Sequence, residues 1–336
     1  MPWFTVPGVD QDVVLHTQIQ IFRNLHDTPF PSRMDPEAAA ELIEQVGRVL
    51  SDNGFHKIDF TEVSRAAAYA YAEQQYISAD FVRKSSLHAL YLNEPCNLSV
   101  SLCDDDHIHI RGLMPGFSLR DAFNSAYKIE GLLDVHFDFA FDSHLGYLTK
   151  HPANLGCGLG ISVMLFLPAL SLCGMIPALT RHLHDGGLLL QPVIGGDGHA
   201  LGFLYRISLG TLPSADEQAL SAHVEKAVRQ IIECERSRRD ALPAELLDHL
   251  TDLVSRAEGI LRGAHILSVT EFIEQSSYVR LGIALGWVGG IHIEALNALL
   301  IELLPATLTV ASEAPPRNQA EQDKLRATLT RERLAV

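Results

Sequence analysis

The sequence has few cationic side chains for its length. Its 336 residues contain 26 Lys and Arg but 41 Asp and Glu, which gives a formal net charge of −15. A nucleic-acid interface needs a basic face that neutralises phosphate groups. We therefore expect no nucleic-acid partner, and the same charge balance gives little support to a site that must hold a triphosphate.

Cysteine is also scarce, and long apolar runs are missing. The five cysteines are widely spaced and include no Cys-x-x-Cys pair, so we predict neither a zinc site nor a disulfide framework and expect a cytoplasmic protein. No uncharged apolar stretch reaches the roughly 20 residues that span a bilayer, and no basic flank precedes an apolar signal core. We therefore expect no membrane partner.

Periodic patterns outline the secondary structure. From Leu15 to Ile21 apolar and polar residues alternate, which predicts a strand with Gln18 and Gln20 on the same side. Helical spacing predicts four helices in the first part of the chain, at residues 36–50, 61–76, 119–133 and 216–239.

A boundary is predicted at Pro243, because proline stops the preceding helix and a new helical pattern follows. Residues 244–304 read as helices throughout. We expect a first domain at residues 1–242, a helical domain at 243–310, and a linker and tail at 311–336.

The most site-like stretch spans residues 139–168 and reads FAFDSHLGYLTKHPANLGCGLGISVMLFLP. Pro152, Gly156 and Gly158 shape a loop in which backbone N–H groups can approach a ligand without obstruction by Cβ atoms. Cys157 lies in this loop without a basic neighbour in sequence, which favours an inert thiol.

This stretch resembles a segment of the ATP:guanidino phosphotransferases, the family of creatine kinases, arginine kinases and bacterial protein-arginine kinases. The shared frame is Phe141-Asp142, Gly146-Tyr147-Leu148-Thr149, Pro152, Asn154-Leu155-Gly156, Gly158-Leu159, Ser162-Val163-Met164-Leu165 and Leu167-Pro168. Further similarity is found at Arg23-Asn24, Pro29-Phe30-Pro31, residues 98–111, Ala200-Leu201-Gly202 and Ile207-Ser208. The ending from Leu325 to Glu332 resembles the tail of the bacterial protein-arginine kinases.

The resemblance implies a fold. We expect an α+β protein with an antiparallel β-sheet flanked by helices, as in the phosphagen-kinase catalytic domain and glutamine-synthetase-like folds, and an all-helical C-terminal domain. It also implies a helix over residues 162–173.

The resemblance places five phosphate-binding arginines at positions where this chain has other residues, namely Gln18, Gln20, His109, Gly160 and Gln191. Arginine offers a phosphate a fixed, positively charged fork, whereas glutamine offers a neutral amide. Losing one such donor typically costs about 3 kcal/mol of transition-state stabilisation, so these positions form a degenerate nucleotide site.

The catalytic positions implied by the resemblance are also altered. Asp104 and Asp105 stand at the glutamates that engage the guanidinium, His151 at the reactive cysteine, and His199 at the glutamate of the acid/base pair. We interpret these four as family-equivalent positions without function. A new acid/base pair of His151 and His199 is a less favoured alternative.

Two further sets of residues invite a functional interpretation. Gln322 and Asp323 stand where the resemblance places an Arg-Asp pair that reads phosphoarginine, so that site is degenerate too. Imidazole is a common metal ligand, and His107 and His109 lie close to the acidic turn at residues 104–106. We favour a solvated turn, however, and predict no metal site.

Three functions follow from these patterns. The favoured one is a pseudokinase without cofactor that acts through a protein partner, such as a zinc-containing activator or a stress-response regulator, and forms a homodimer. The second is an active protein-arginine kinase that uses ATP and Mg²⁺, with Asp104 or Asp105 as base and Arg23, Arg111 or Arg206 as substitute cations. The third is a non-catalytic phosphoarginine-binding module.

Overall fold

Eight strands form one antiparallel sheet within residues 2–60, 62–195, 200–210 and 216–334, the parts of the chain that this computed structural model describes. In chain order the strands are β1 Val14–Arg23, β2 Phe55–Ile58, β3 Ala89–Asn93, β4 Leu98–Leu102, β5 Ile108–Pro115, the separate hairpin β6 Phe141–Asp142 and β7 Gly146–Tyr147, then β8 Leu159–Phe166, β9 Leu188–Ile194 and β10 Ala200–Leu209. Their order across the sheet is β2-β3-β4-β5-β1-β8-β10-β9. The sheet therefore has β2 and β9 at its two edges.

The helices of the described residues fall into two groups. The first group is α1 Pro36–Asp52, α2 Arg65–Glu73, α3 Ala79–Arg83, α4 Leu119–Asp134, α5 Pro168–Leu172, α6 Ile176–Asp185 and α7 Glu217–Asp240. The second group is α8 Ala244–Gly263, α9 Val269–Ala284, α10 Ile293–Glu302, α11 Pro305–Ala311 and α12 Gln319–Leu334. An antiparallel sheet flanked by helices, with a helical C-terminal region, confirms the expected fold class.

One face of the sheet forms the main core. Ile19 and Ile21 of β1, Ile110 of β5 and Val163 of β8 are fully buried and pack with apolar side chains of α1, α4 and α7. Side chains alternate along a strand, so the residues between these positions point to the opposite face. The alternation predicted for β1 is confirmed, and we call this opposite surface the polar face.

The C-terminal helices pack beside this sheet around a second apolar cluster. Helix α9 contacts β10, and α11 contacts α2. The Glu73 carboxylate, at the end of α2, accepts hydrogen bonds from the backbone N–H groups of Ala306 and Thr307 at 2.9 and 2.7 Å. Because the first N–H groups of a helix lack partners within the helix, Glu73 caps α11 and connects the two groups of helices.

Two expectations about helices were wrong. Residues 162–166 form the end of β8, which pairs with β1 on one side and β10 on the other; a helix, α5, begins only at Pro168. A strand buried on both faces has an apolar run that periodicity does not distinguish from a helix. The helix expected at 61–76 spans only Arg65–Glu73, since Gln75 adopts a φ of 68° that ends helical geometry.

Among the described residues, no single helix is long and apolar enough to cross a membrane. Helices α10 and α11 pass that test only when taken together, and they are bent by 92° relative to each other.

Candidate functional site

The five positions at which the resemblance places arginine lie together on the polar face. Gln20 of β1 is opposite Arg111 of β5 on one side and Gly160 of β8 on the other. His109 lies two residues before Arg111 on β5, opposite Phe22. Gln18 is opposite Ser162 of β8, and on β9 the exposed Gln191 is opposite Arg206. The side chains of directly opposed residues share a face, so the structure brings these positions into one surface.

His109 and Gln20 bond to each other on this surface. The His109 Nε2 and Gln20 Oε1 atoms are 3.1 Å apart, and the Phe22 ring lies 4.1 Å from the His109 ring, centroid to centroid. Burial, together with the charge of Arg111, lowers the pKa of His109 to about 3. His109 is therefore neutral near pH 7 and supplies no positive charge in place of an arginine.

Asp104 carries a negative charge beside this pair. Its carboxylate lies 4.0 Å from His109 Nδ1 and 3.3 Å from Lys84 Nζ. Burial alone would raise the pKa of Asp104, but the neighbouring His109 ring and the Arg111 and Lys84 cations outweigh it and lower the pKa to about 2. Asp104 is thus ionised near pH 7.

Asp105 is paired with His151. The His151 Nε2 and Asp105 Oδ2 atoms are 2.9 Å apart, and both side chains are about half exposed. Lys84 Nζ and Lys150 Nζ lie 3.3 and 3.8 Å from the same carboxylate. Burial opposes ionisation of Asp105, but its bonds to His151 and Lys84 prevail and lower its pKa. His199, the second member of the less favoured acid/base pair, lies outside the described residues.

Asp106 and His107 hold the acidic turn in place. Asp106 accepts hydrogen bonds from the Asn24 side chain and the Lys150 amide at 2.6 and 2.7 Å. His107 Nδ1 accepts from the Leu25 amide, which leaves Nε2 to donate to the Pro29 carbonyl at 2.9 Å. Both ring nitrogens of His107 are used in these backbone bonds, so His107 and His109 do not form a shared site.

Arg23 does not supply a cation to the polar face. It is 1% exposed, its Nε donates to Glu130 Oε1 at 2.8 Å, and its guanidinium carbon lies 3.5 Å from the centre of the Tyr147 ring. Its Nη1 also donates to the carbonyls of Phe22 and Cys157 at 3.0 Å. Arg23 follows Phe22 in the strand, which places it on the core side, and these bonds give it a structural role.

The other two candidate cations differ in exposure. Arg111 is buried, and its Nη1 donates to the Tyr76 carbonyl and Ser101 Oγ at 3.1 and 2.9 Å. Burial lowers the pKa of Arg111 to about 10. Arg206 is exposed at the β10 end of the polar face.

The glycine loop closes around Arg23. Gly158 has a φ of 58°, and a Cβ atom there would lie 2.6 Å from both Arg23 Nη1 and the Phe22 carbonyl oxygen. Glycine is required by this backbone conformation and this close approach. Burial raises the pKa of the Cys157 thiol in the same loop to about 11, in agreement with an inert thiol.

The phosphoarginine positions lie on α12, within the second group of helices. Gln322 Nε2 donates to Thr309 Oγ1 at 3.1 Å, and Asp323 Oδ1 accepts from Arg326 at 2.6 Å. Arg326 is fully buried and also donates to the carbonyls of Leu303 and Leu267. These residues connect α12 to its neighbouring helices.

Sequence patterns missed Lys84 and Glu130. Lys84 follows α3 and reaches the Asp104 and Asp105 carboxylates of the acidic turn, and Glu130 lies in α4 against Arg23. Neither residue stands in a recognisable motif, because each gains its role through a contact distant in sequence.

Comparisons with known proteins agree with this geometry. The description "ATP:guanido phosphotransferase, C-terminal catalytic domain" matches residues 38–238, and "Protein-arginine kinase McsB C-terminal domain" matches residues 247–336. A protein-arginine kinase from Geobacillus thermodenitrificans is 32% identical over 99% of this chain and 93% of its own length. One from Symbiobacterium thermophilum is 34% identical over 99% of this chain and 96% of its own length.

Solved structures show the same fold at lower identity. The substrate-free duplicated taurocyamine kinase from Schistosoma mansoni has a TM-score of 0.60 at 18% identity, covering 80% of this chain and 40% of that chain. A lombricine kinase has a TM-score of 0.58 at 17% identity, covering 70% of each chain.

Proposed function

We propose that this chain, which belongs to the ATP:guanido phosphotransferases and, among them, to the protein-arginine kinases, is a pseudokinase. In this proposal it has lost ATP binding and phosphoryl transfer, needs no cofactor, and acts by binding protein.

The observation that carries the proposal is the charge of the polar face. Phosphoryl transfer depends on cations placed around the phosphate oxygens. The five positions that share this face hold two neutral amides near its middle, a neutral His109, Gly160 without a side chain, and Gln191 at the edge. Lys84 and Lys150 lie nearby, but both neutralise aspartates.

The two alternative functions have less support. An active kinase has an ionised Asp105 to orient a guanidinium, but of its three candidate cations Arg23 and Arg111 are buried in structural bonds, and Arg206 alone is exposed. A phosphoarginine reader would use Gln322 and Asp323, whose side chains bond within the C-terminal helices.

A protein partner is the second half of the proposal. Phe141 and Leu145, on the β6–β7 hairpin, and Leu155, on the following loop, are exposed by 58%, 53% and 38%. Large exposed apolar patches with a polar rim are typical of protein interaction sites. We propose a cytoplasmic homodimer that binds a zinc-containing activator or a stress-response regulator.

Titration calorimetry with ATP and Mg²⁺ tests the loss of nucleotide binding. The wild-type chain should show no micromolar binding, whereas the Q18R/Q20R/G160R variant should bind at least about tenfold more tightly, since charged forks return to one face. The matched control is Q45R/Q218R/G259R, which makes the same three types of change at exposed helical positions.

The outcome that contradicts the proposal is clear. Micromolar binding of ATP by the wild-type chain, together with phosphoryl transfer to arginine in a protein substrate, would establish an active kinase. Equal gains in the restored variant and its control would show that only net charge matters.

A further inference from the structure

A cavity lies at one end of the polar face, beyond the degenerate positions. His16 of β1 is opposite Met164 of β8, which is opposite Arg206 of β10. These three line a cavity of about 240 Å³ between the sheet, the N-terminal segment and the C-terminal helices. None of the five arginine-equivalent positions lines it, so the cavity is separate from the degenerate nucleotide positions.

Most of the cavity wall is apolar. Trp3 and Phe4 of the N-terminal segment are 4% and 7% exposed, and Leu300 and Ile301 of α10 also line the cavity. The Trp3 indole N–H donates to the Gln74 carbonyl at 3.1 Å, so its ring presents only apolar surface to a ligand. An apolar ligand body would therefore be held by burial.

The polar groups of the cavity differ in charge. His16 is 5% exposed, and burial together with the Arg206 charge lowers its pKa to about 3, so it is neutral near pH 7. The exposed Arg206 guanidinium has no hydrogen bond or ion pair to any described residue. Within the described residues, the cavity thus combines apolar walls with the Arg206 cation at its rim.

We propose that this cavity binds a small amphiphilic carboxylate, with an aromatic or branched aliphatic body against Trp3 and Phe4 and its carboxylate on Arg206. Arginine matches a carboxylate through two parallel hydrogen bonds. Pockets for drug-sized ligands measure about 300–1,000 Å³, so the smaller volume of this cavity favours a compact ligand. Its one lining arginine among the described residues, Arg206, favours a ligand with one anionic group. A triphosphate would need several cations, which these walls do not provide.

The position of the cavity gives such a ligand a structural effect. Its walls come from β1, β8 and β10 of the sheet, from α10, and from Leu304, which directly precedes α11. A bound carboxylate therefore contacts the sheet and the C-terminal helices at once. It stabilises their contact, because any ligand that binds only the folded arrangement favours that arrangement.

The test uses Trp3 as its reporter. The chain has two tryptophans, so W287F leaves Trp3 as the emitting residue. In this background, phenylacetate is titrated against the uncharged phenylacetamide, the cationic phenethylamine and ATP, and calorimetry repeats each titration. Phenylacetate should bind at least about tenfold more tightly than phenylacetamide, because only the anion pairs with Arg206.

Three variants locate the binding. R206Q should remove the preference for the anion, and the control R256Q, at a 73% exposed arginine of α8, should keep it. L300F should weaken both ligands by filling the cavity. Circular dichroism verifies that each variant is folded.

Several outcomes overturn the proposal. They are equal binding of phenylacetate and phenylacetamide, an unchanged anion preference in R206Q, displacement of phenylacetate by micromolar ATP, and no binding of phenylacetate at millimolar concentration. Nucleotide binding at the degenerate positions is read separately in the restored-arginine variant, so failure here leaves the pseudokinase proposal standing.

Discussion

Replacing Glu130 by glutamine should strongly destabilise the fold, because Glu130 neutralises a buried arginine. Arg23 is 1% exposed and bonds Glu130 at 2.8 Å, whereas Glu217 lies 3.8 Å away and is 29% exposed. Nη2 of Arg23 is buried and has no hydrogen-bond partner in the part of the chain that the structure describes. E130Q keeps an oxygen acceptor in place but removes the charge.

The expected magnitude follows from what Arg23 retains. Removing one partner of a buried ion pair typically costs 3–5 kcal/mol. Arg23 keeps its carbonyl acceptors and the face of Tyr147, and a cation over an aromatic ring contributes about 0.5–2 kcal/mol. We therefore expect E130Q to lose about 3 kcal/mol of unfolding free energy. The matched control E217Q should lose about 1 kcal/mol or less, as partly exposed pairs do.

Urea unfolding followed by circular dichroism measures both values from the midpoint and slope. The double variant R23M/E130L should recover much of the loss, because apolar residues of similar volume replace buried pairs well. A loss below about 1 kcal/mol in E130Q, or equal losses in E130Q and E217Q, would refute the structural role of Arg23.

Three further predictions concern other parts of the molecule. The pKa of His109 is about 3 in the fold and 6.5 in an unfolded chain. Between these values the unfolded chain binds the additional proton, so the unfolding free energy should fall as pH decreases from 6.5 towards 3. H109Q should lessen this pH dependence in urea unfolding. E73Q should weaken the cap on α11 by about 1 kcal/mol and speed amide exchange at residues 306–311, unlike the exposed control E44Q. G158A should lower the thermal midpoint, because its Cβ would meet Arg23, whereas G259A, on an open helix surface, should raise it slightly.

Sequence patterns predicted the fold well where they were periodic. Alternation put Gln18 and Gln20 on one face, and the structure confirms it. The helix that the resemblance implies from Ser162 onward is wrong, and the residues themselves give no warning of it, since a strand paired on both sides has a nearly continuous apolar run. The site was less predictable: the contact between His151 and Asp105 joins a loop to a turn, and loop conformation has no period to read.

The two edges of the eight-stranded sheet bear on how concentrated solutions of this protein behave. An unpaired edge strand is a template for a strand of another molecule, and natural proteins block such edges with short strands, lysine or proline. Here β2 has four residues, including the exposed Lys57, and β9 contains Pro192, which has no amide hydrogen to donate. Fibre-like growth by sheet extension is thereby disfavoured, and copies of this chain that associate should do so through their helices.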